Sequence, residues 1–519
     1  MEKKKNNFLI HGGILAMAGI IVRIIGMLYR IPVVNIIGSE GNGIYGIAFN
    51  VYNIMLVLSS YGLPMAVSKL VSQRFAEGKY KNAKRIFKYS LTIGIVTGGI
   101  AAALVFFGAD FIENVIYSGN TPGLAIPLRI LAPTIFFVAV LGVIRGFFQG
   151  QGTMIPTAVS QIIEQIVNAI VSIGAGYILM QSFKESANQS AYGAAGSTLG
   201  TALGALSALI FMIFLYFVYK PQFKKLLRKD TKADRVPASN MYKIIITTMI
   251  PIILGQTFYQ ISSVFDDILF SNLSSTVIDS VTIDLGTYSS CFILLIGIPQ
   301  GVASAMSASM LPAMVTSFTE KDIDGVRTKL TKTIKTNLFI AIPSFIGLAV
   351  LGQGIIKILF SSYNSAEGAT MLKIGAVSVV FFTLSTVTSS ALQAIDKMKM
   401  PVYHSAISLV IHIVLVYFML RFTSLGIYGL VIGSTLFPLV VFILNLKTLY
   451  QEINYRFSIK KIVLKPLISA IIMGVCIAVV YNGLLILTES NIVSMFFALV
   501  VAAITYFGPY YLLTKHSNL

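Results

Sequence analysis

Apolar runs of about 20 residues recur from one end of this chain to the other, and they leave few ways for it to fold. Each run is long enough to cross a hydrocarbon layer of ~30 Å. With no water there to bond the backbone, each run must satisfy its own N–H and C=O groups, so the runs read as helices. A membrane barrel would instead show shorter alternating segments. Composition agrees: of 519 residues, 56% are hydrophobic and 11% charged, against about 25% charged in an average soluble domain. That is too little polar surface to cover a fold in water.

Spans are expected at roughly 9–36, 44–68, 87–108, 125–148, 155–180, 193–219, 243–270, 286–316, 336–360, 370–395, 401–420, 426–448, 463–485 and 491–513. The net charge is +19, and its placement orients the spans. The loop after span 2 carries Lys69, Arg74, Lys79, Lys81, Lys84, Arg85 and Lys88, and the one after span 6 runs from Lys220 to Lys243 with eight basic residues. The loops after spans 8 (Arg327 to Lys335) and 12 (Arg456 to Lys465) are also basic, whereas 109–124 and 271–285 contain no Lys or Arg. By the positive-inside rule every even-numbered span ends in the cytoplasm, as do both termini. The expected location is therefore a cytoplasmic membrane, multi-pass. The Lys3–Lys5 cluster ahead of the first run has the look of a leader, but without a small-residue cleavage site it reads as an uncleaved first span. No basic, aromatic-interleaved patch points to nucleic acid. Cys291 and Cys476 lie within apolar runs, and His404 and His412 are eight apart with no carboxylate or thiol beside them, so neither metal nor cofactor is expected. No phosphate-binding, dinucleotide or nucleophile motif appears. Transport, not catalysis, is the expected activity.

A weak internal repeat has offsets of 243 to 248. Gly43-x-Tyr45 recurs as Gly286-x-Tyr288, Leu63-Pro64 as Leu311-Pro312, Gly108 as Gly352, Arg129 as Lys373, and Gln149 ahead of Pro156 as Gln393 ahead of Pro401. The repeat pairs spans 1–6 with spans 7–12. Because six is even, the two lobes run parallel, and transporters of that plan bind cargo between lobes and rock them. The expected organisation is an N-lobe at 1–219, a basic linker at 220–242, a C-lobe at 243–449, and two added spans at 450–519.

Charges inside spans are costly, about 2.5–3.5 kcal/mol each on the insertion scale, so the few present are informative. Arg23 and Arg30 lie seven residues apart on one face of span 1, with Gly19 and Gly26 nearby and Pro32 expected to kink its outer end. Arg23 either faces an anion or pairs with Glu164, Asp266 or Asp267; Arg30 either joins it or snorkels to the interface. Gln161, Glu164, Gln165, Asn168 and Ser172 form one stripe on span 5. Gln256, Tyr259, Gln260, Ser263 and Asp267 form another on span 7, and span 2 offers Asn50 and Asn53. The stripes either glue helices together or line a wet cavity. Arg145 reads as an interfacial or loop-contacting residue.

Three segments carry a family likeness: Arg23 to Gly46 (RIIGMLYRIPVVNIIGSEGNGIYG), Tyr61 to Lys88, and Arg145 to Asn168 (RGFFQGQGTMIPTAVSQIIEQIVN). They resemble the stage V sporulation protein B branch of the MOP exporter superfamily, which includes MurJ-type lipid II flippases and MATE exporters. The resemblance implies two six-helix lobes plus two C-terminal helices, and a monomeric flippase for undecaprenyl-diphosphate-linked saccharides. Lipid II is the first such cargo, moved from the inner to the outer leaflet without ATP, with a membrane potential or ion gradient as driving force. It also implies a cationic cavity. Arg23 matches the first span-1 arginine of that pattern. The second falls at Tyr29, beside Arg30, and those of spans 2 and 8 fall near Leu56 and Leu294. The substrate-binding residues expected are Arg23, Arg30, Asn50, Asn53, Gln161, Glu164, Gln165, Gln256, Gln260 and Asp267. The alternatives are a MATE-like ion-coupled antiporter using Glu164, Asp266 or Asp267, or a non-transporting scaffold for wall or spore assembly.

Overall fold

The computed structural model describes residues 2–230, 236–274 and 278–515, and every regular element among them is helical. In chain order these are α1 (Glu2–Ser60), α2 (Gly62–Ala76), α3 (Tyr80–Phe111), α4 (Ala125–Gly150), α5 (Ile155–Ser182), α6 (Gln189–Lys229), α7 (Ala238–Leu273), α8 (Ile278–Thr287), α9 (Leu294–Thr319), α10 (Ile323–Leu359), α11 (Ser365–Gly375), α12 (Ser378–Ala394), α13 (Lys399–Phe422), α14 (Ile427–Ile453), α15 (Ile459–Ile462), α16 (Leu464–Thr488) and α17 (Asn491–Lys515).

Among the described residues, twelve helical stretches are long and apolar enough to cross a membrane, or thirteen with α11 and α12 counted as one span bent by 44°. The first stretch, Ile21–Ala76, has 56 residues and would run about 84 Å as a single helix, far beyond one crossing. It is broken at Gly38, whose φ of 68° and ψ of −176° leave helical space and suit only a residue without Cβ. The first stretch thus consists of two segments that meet at Gly38. The kink expected at Pro32 is not where the chain turns: α1 runs through Pro32 and breaks six residues later. A proline costs one backbone bond, which neighbouring helices in a membrane tolerate; a left-handed glycine ends the ladder.

The outer surface is that of a protein dissolved in lipid. Phe107, Ile486 and Leu487 are about four-fifths exposed, at 81%, 80% and 81%. In water such side chains would forfeit burial worth about 1.5–3 kcal/mol apiece.

The chain divides into two compact units, Met1–Asn272 with Val277–Thr282, and Leu273–Thr276 with Ile283–Leu519. Nearly all of α7, which the repeat assigns to the second set of six, groups with the first unit. Two glycine ladders close that unit. Gly142, Gly146 and Gly150 let α4 lie directly on α2, and a Cβ on Gly146 would stand 2.5 Å from the Pro64 carbonyl oxygen. Gly196, Gly200 and Gly204 do the same for α6 on α5. Where lipid removes the hydrophobic drive, such close backbone approach supplies packing instead.

The stretch expected to be a linker begins as a continuation of α6, which runs unbroken to Lys229 with Phe223 buried. Phe223 packs against Phe147 at 5.3 Å and Phe75 at 6.2 Å between ring centroids. Beyond it, buried Asp230 accepts from the Lys81 amide at 2.7 Å. A carboxylate there meets the positive end of α3. Residues 231–235 of the expected linker lie outside the described ones.

In the second unit α10 packs against α9, α11, α12, α16 and α17. His404 is buried, its Nδ1 2.7 Å from Asn445 Oδ1, while Asn445 Nδ2 donates to Thr388 and Ser389 at 3.1 and 2.9 Å.

Candidate functional site

The polar residues of the first unit gather where α1, α5 and α7 carry them. α5 is held in place by α6, which packs along the Glu164–Asn168–Ser172 edge of the stripe itself. α6 approaches so closely that a Cβ on Gly200 would lie 2.1 Å from Ser172 Oγ, and one on Gly204 2.6 Å from the Glu164 carbonyl oxygen, and Ser172 donates to the Ser197 carbonyl of α6 at 2.8 Å. With α5 pinned along that edge, Asn168 reaches Tyr29 of α1 and Glu164 reaches Arg145 of α4.

Two contacts set the register between α1 and α5. A Cβ on Gly26 would meet Gln165 Nε2 at 3.1 Å, and one turn on, Asn168 Nδ2 donates to Tyr29 Oη at 3.1 Å. Asn168 Oδ1 in turn accepts from Ser172 at 2.8 Å. Both pairs advance by three residues, so the helices run in the same direction. The same step taken backwards sets Arg23 level with Ile162, next to Gln161. Arg23 is exposed, whereas Gln161, Glu164 and Gln165 are half-buried.

The remaining expected residues divide between committed and accessible. Arg30 donates to buried Asn42 Oδ1 at 3.1 Å, and its guanidinium lies 3.9 Å over the Tyr45 ring. It thereby ties the two sides of the Gly38 break together, and the cation–π contact contributes about 0.5–2 kcal/mol. Asn50 donates to Asp267 Oδ2 at 2.8 Å, joining α1 to α7, with Asp266 and Asp267 both buried. Asn53, Gln256 and Gln260 are half-buried; the Tyr259 side chain lies outside the described ones.

Glu164 pairs with Arg145 at 2.7 Å, and Arg145 Nε also donates to Ser160 at 2.9 Å. Two expectations change here. Arg145 is not a loop-contacting residue but an interhelical one, tying α4 to α5. The partner proposed for Arg23 on span 5 is engaged by Arg145 instead. α4 and α5 are neighbours joined by a short turn, which brings Arg145 within 2.7 Å of Glu164. The sequence held a signal, since Arg145 and Glu164 face each other across a short turn at 151–154, but separation alone does not reveal depth. The Tyr29–Asn168 bond was missed as well, because Tyr29 was read only as the place of a displaced arginine.

Removing one partner of a half-buried pair strands the other. Arg145→Met is expected to cost about 1–3 kcal/mol, at the low end because the Glu164 side chain keeps 29% exposure. Adding Glu164→Leu should recover most of that loss. Melting curves of the two single variants and the double in detergent check it: additive losses would mean the pair contributes nothing.

The geometry is that of a polar, mixed-charge lining rather than a reaction centre. Among the described residues no cluster of His, Cys, Asp and Glu is arranged to hold a metal ion.

The sequence profile of the polysaccharide biosynthesis protein family matches residues 9–318, and that of the MatE family matches 251–418. The lipid II flippase MurJ of Bacillus subtilis (strain 168) is 25% identical over 480 residues, covering 90% of this chain and 87% of that protein. Stage V sporulation protein B of the same organism is 24% identical over 462 residues, covering 88% and 86%. Among solved structures, a lipid II flippase MurJ in an inward closed conformation matches with TM-score 0.70 at 18% identity, over 97% of this chain and 99% of that one. An inward-facing MATE family multidrug transporter matches with TM-score 0.66 at 15% identity, over 85% and 98%. These likenesses to solved structures establish the shared fold.

Proposed function

The chain belongs to the polysaccharide biosynthesis protein family of the MOP exporters, and on that premise we propose that it moves undecaprenyl-diphosphate-linked saccharides, lipid II first among them, across the bilayer by alternating access. It is a multi-pass membrane transporter of the flippase kind, related along most of its length to a lipid II flippase. The cargo is our own reading.

The observation that carries it is Arg23. Of the two span-1 arginines, Arg30 lies at Asn42 and the Tyr45 ring, and Arg23 is exposed, three residues before the Gly26 that meets Gln165. A diphosphate offers several acceptor oxygens to a guanidinium, in charge-assisted bonds about twice as strong as neutral ones. Gln161, Gln165, Gln256 and Gln260 can donate to sugar or peptide. An inside-negative potential would favour outward movement of an anion by about 2.3 kcal/mol per charge per 100 mV. The lipid tail stays in the bilayer throughout, so only the head group needs a path.

Complementation of a bacterial strain depleted of its own lipid II flippase tests the cargo. Growth restored together with lipid II exposed on the outer face is expected; restored membrane insertion without lipid II exposure would sink the reading. A second reading, cation-coupled antiport, is favoured by the buried carboxylates Asp266 and Asp267 in the segment that the MatE profile matches. Purified protein in vesicles with a sodium or proton gradient separates the two, since only an antiporter would expel a cationic dye.

A further inference from the structure

We infer that the second unit carries a binding site for a phosphate-bearing anion, in the cleft that Arg327, Thr328, Thr331, Lys332 and Lys335 line on the polar end of α10. The cleft is a shallow, open one of about 380 Å³, room for a phosphate group with its first substituents. Its wall is rigid. Arg327 Nε donates to the carbonyl of Ile453, the last residue of α14, at 2.6 Å, and Nη1 to Asp324 at 2.6 Å. Thr331 Oγ1 lies 3.2 Å from the hydroxyl of buried Tyr455. The turn after α14 is thereby fastened to α10, and α15 packs on the same helix.

The neighbouring cations on α10 divide in a telling way. Lys329 is engaged, its Nζ donating to the Ala313 carbonyl at 2.8 Å and to Ser317 at 2.6 Å at the end of α9. Lys332 and Lys335 are exposed, and among the described residues neither has an acceptor from this chain. They stand three residues apart, and Thr328 precedes Lys332 by four, so two ammonium groups and the Thr328 hydroxyl share one helix face, while the Thr331 hydroxyl on that face donates to the Arg327 carbonyl at 2.9 Å. The acid at the cleft, Asp324, is engaged by Arg327. Arg456 and Lys460 follow on the adjoining turn and α15 and add to the positive field. Uncompensated cations with hydroxyls against a fixed wall recognise phosphate oxygens.

Height argues for a lipid source. α10 has 37 residues, about 56 Å of helix against a hydrocarbon layer of ~30 Å. Its apolar part begins after Lys335, so the cleft falls at the head-group layer, where anionic lipids present phosphodiesters. A soluble phosphate compound has the same recognising chemistry. The inference does not depend on the cargo proposed above.

Brief acetylation of lysines in the full chain, reconstituted in nanodiscs and read by mass spectrometry, tests the site, with exposed Lys220 as the internal reference. Phosphatidylglycerol added to phosphatidylcholine is expected to slow modification of Lys332 and Lys335 about fivefold relative to Lys220. Millimolar inorganic phosphate in phosphatidylcholine alone is the second arm: protection there identifies a soluble source, and protection only with the anionic lipid identifies the head group. Thr328→Val, which keeps every charge, should weaken the protection. Equal protection of Lys220, or none at Lys332 and Lys335 in either arm, would overturn the inference.

Discussion

Arg23→Ala is expected to lower lipid II translocation in reconstituted vesicles by about tenfold to a hundredfold, while leaving yield and melting temperature near wild type. The size follows from the bond lost: a hydrogen bond to a charged group contributes about 1.5–3 kcal/mol. The sparing of the fold follows from position, because Arg23 is exposed and its truncation opens no cavity. Arg23→Lys keeps the charge but loses the planar fork, so an intermediate rate is expected. Arg30→Ala should behave differently. It releases Asn42 and the Tyr45 ring, so it should lower the melting temperature as well as the rate. Translocation at wild-type rate by Arg23→Ala would remove the arginine from the proposed mechanism.

Gly200→Leu should have the largest effect on folding. A Cβ at Gly200 would fall 2.1 Å from Ser172 Oγ, 2.6 Å from the Ser172 amide nitrogen and 2.7 Å from the Asn168 carbonyl oxygen. Rotation of the serine can relieve the first clash; the others are with backbone, so the two helices must part. Overpacking in tight interfaces costs about 1–3 kcal/mol, and separation of α5 from α6 adds the loss of their remaining packing. Little monodisperse protein is expected by fluorescence-detected size exclusion, with Gly200→Ala intermediate. Gly99→Leu is the control, since nothing lies within 4 Å of a Cβ there. A normal elution profile for Gly200→Leu would show that the α5–α6 interface is not as close as described.

The two variants also show which features were legible in the sequence. The glycine ladder was legible and missed: Gly196, Gly200 and Gly204 repeat every fourth residue within an apolar run, the spacing that brings membrane helices into backbone contact. Arg23 was legible as a charge in the wrong solvent. The break in α1 was assigned to Pro32 when Gly38 made it, because a proline announces itself in sequence while a left-handed glycine does not. The stripes on α5 and α7 were recognised as polar, but either interhelical bonding or a wet lining explained them. Interhelical bonding accounts for part of them: Asn168 bonds Tyr29 and Asp267 bonds Asn50, while the glutamines are half-buried.

What the sequence determined by itself was the solvent, the all-helical fold and the family. Each of these depends on properties summed along the chain: runs of apolar residues, charge between runs, motifs read in order. Tertiary structure alone decided the partners of the rare intramembrane charges. Glu164 turned to Arg145, and Arg30 to Asn42 and the Tyr45 ring. Such pairing depends on the depth and rotation of one helix against another, and a shift of one residue turns a side chain by about 100°. Hydropathy averages over that angle, so the apolar spans could be read from sequence while the partners of their charges could not.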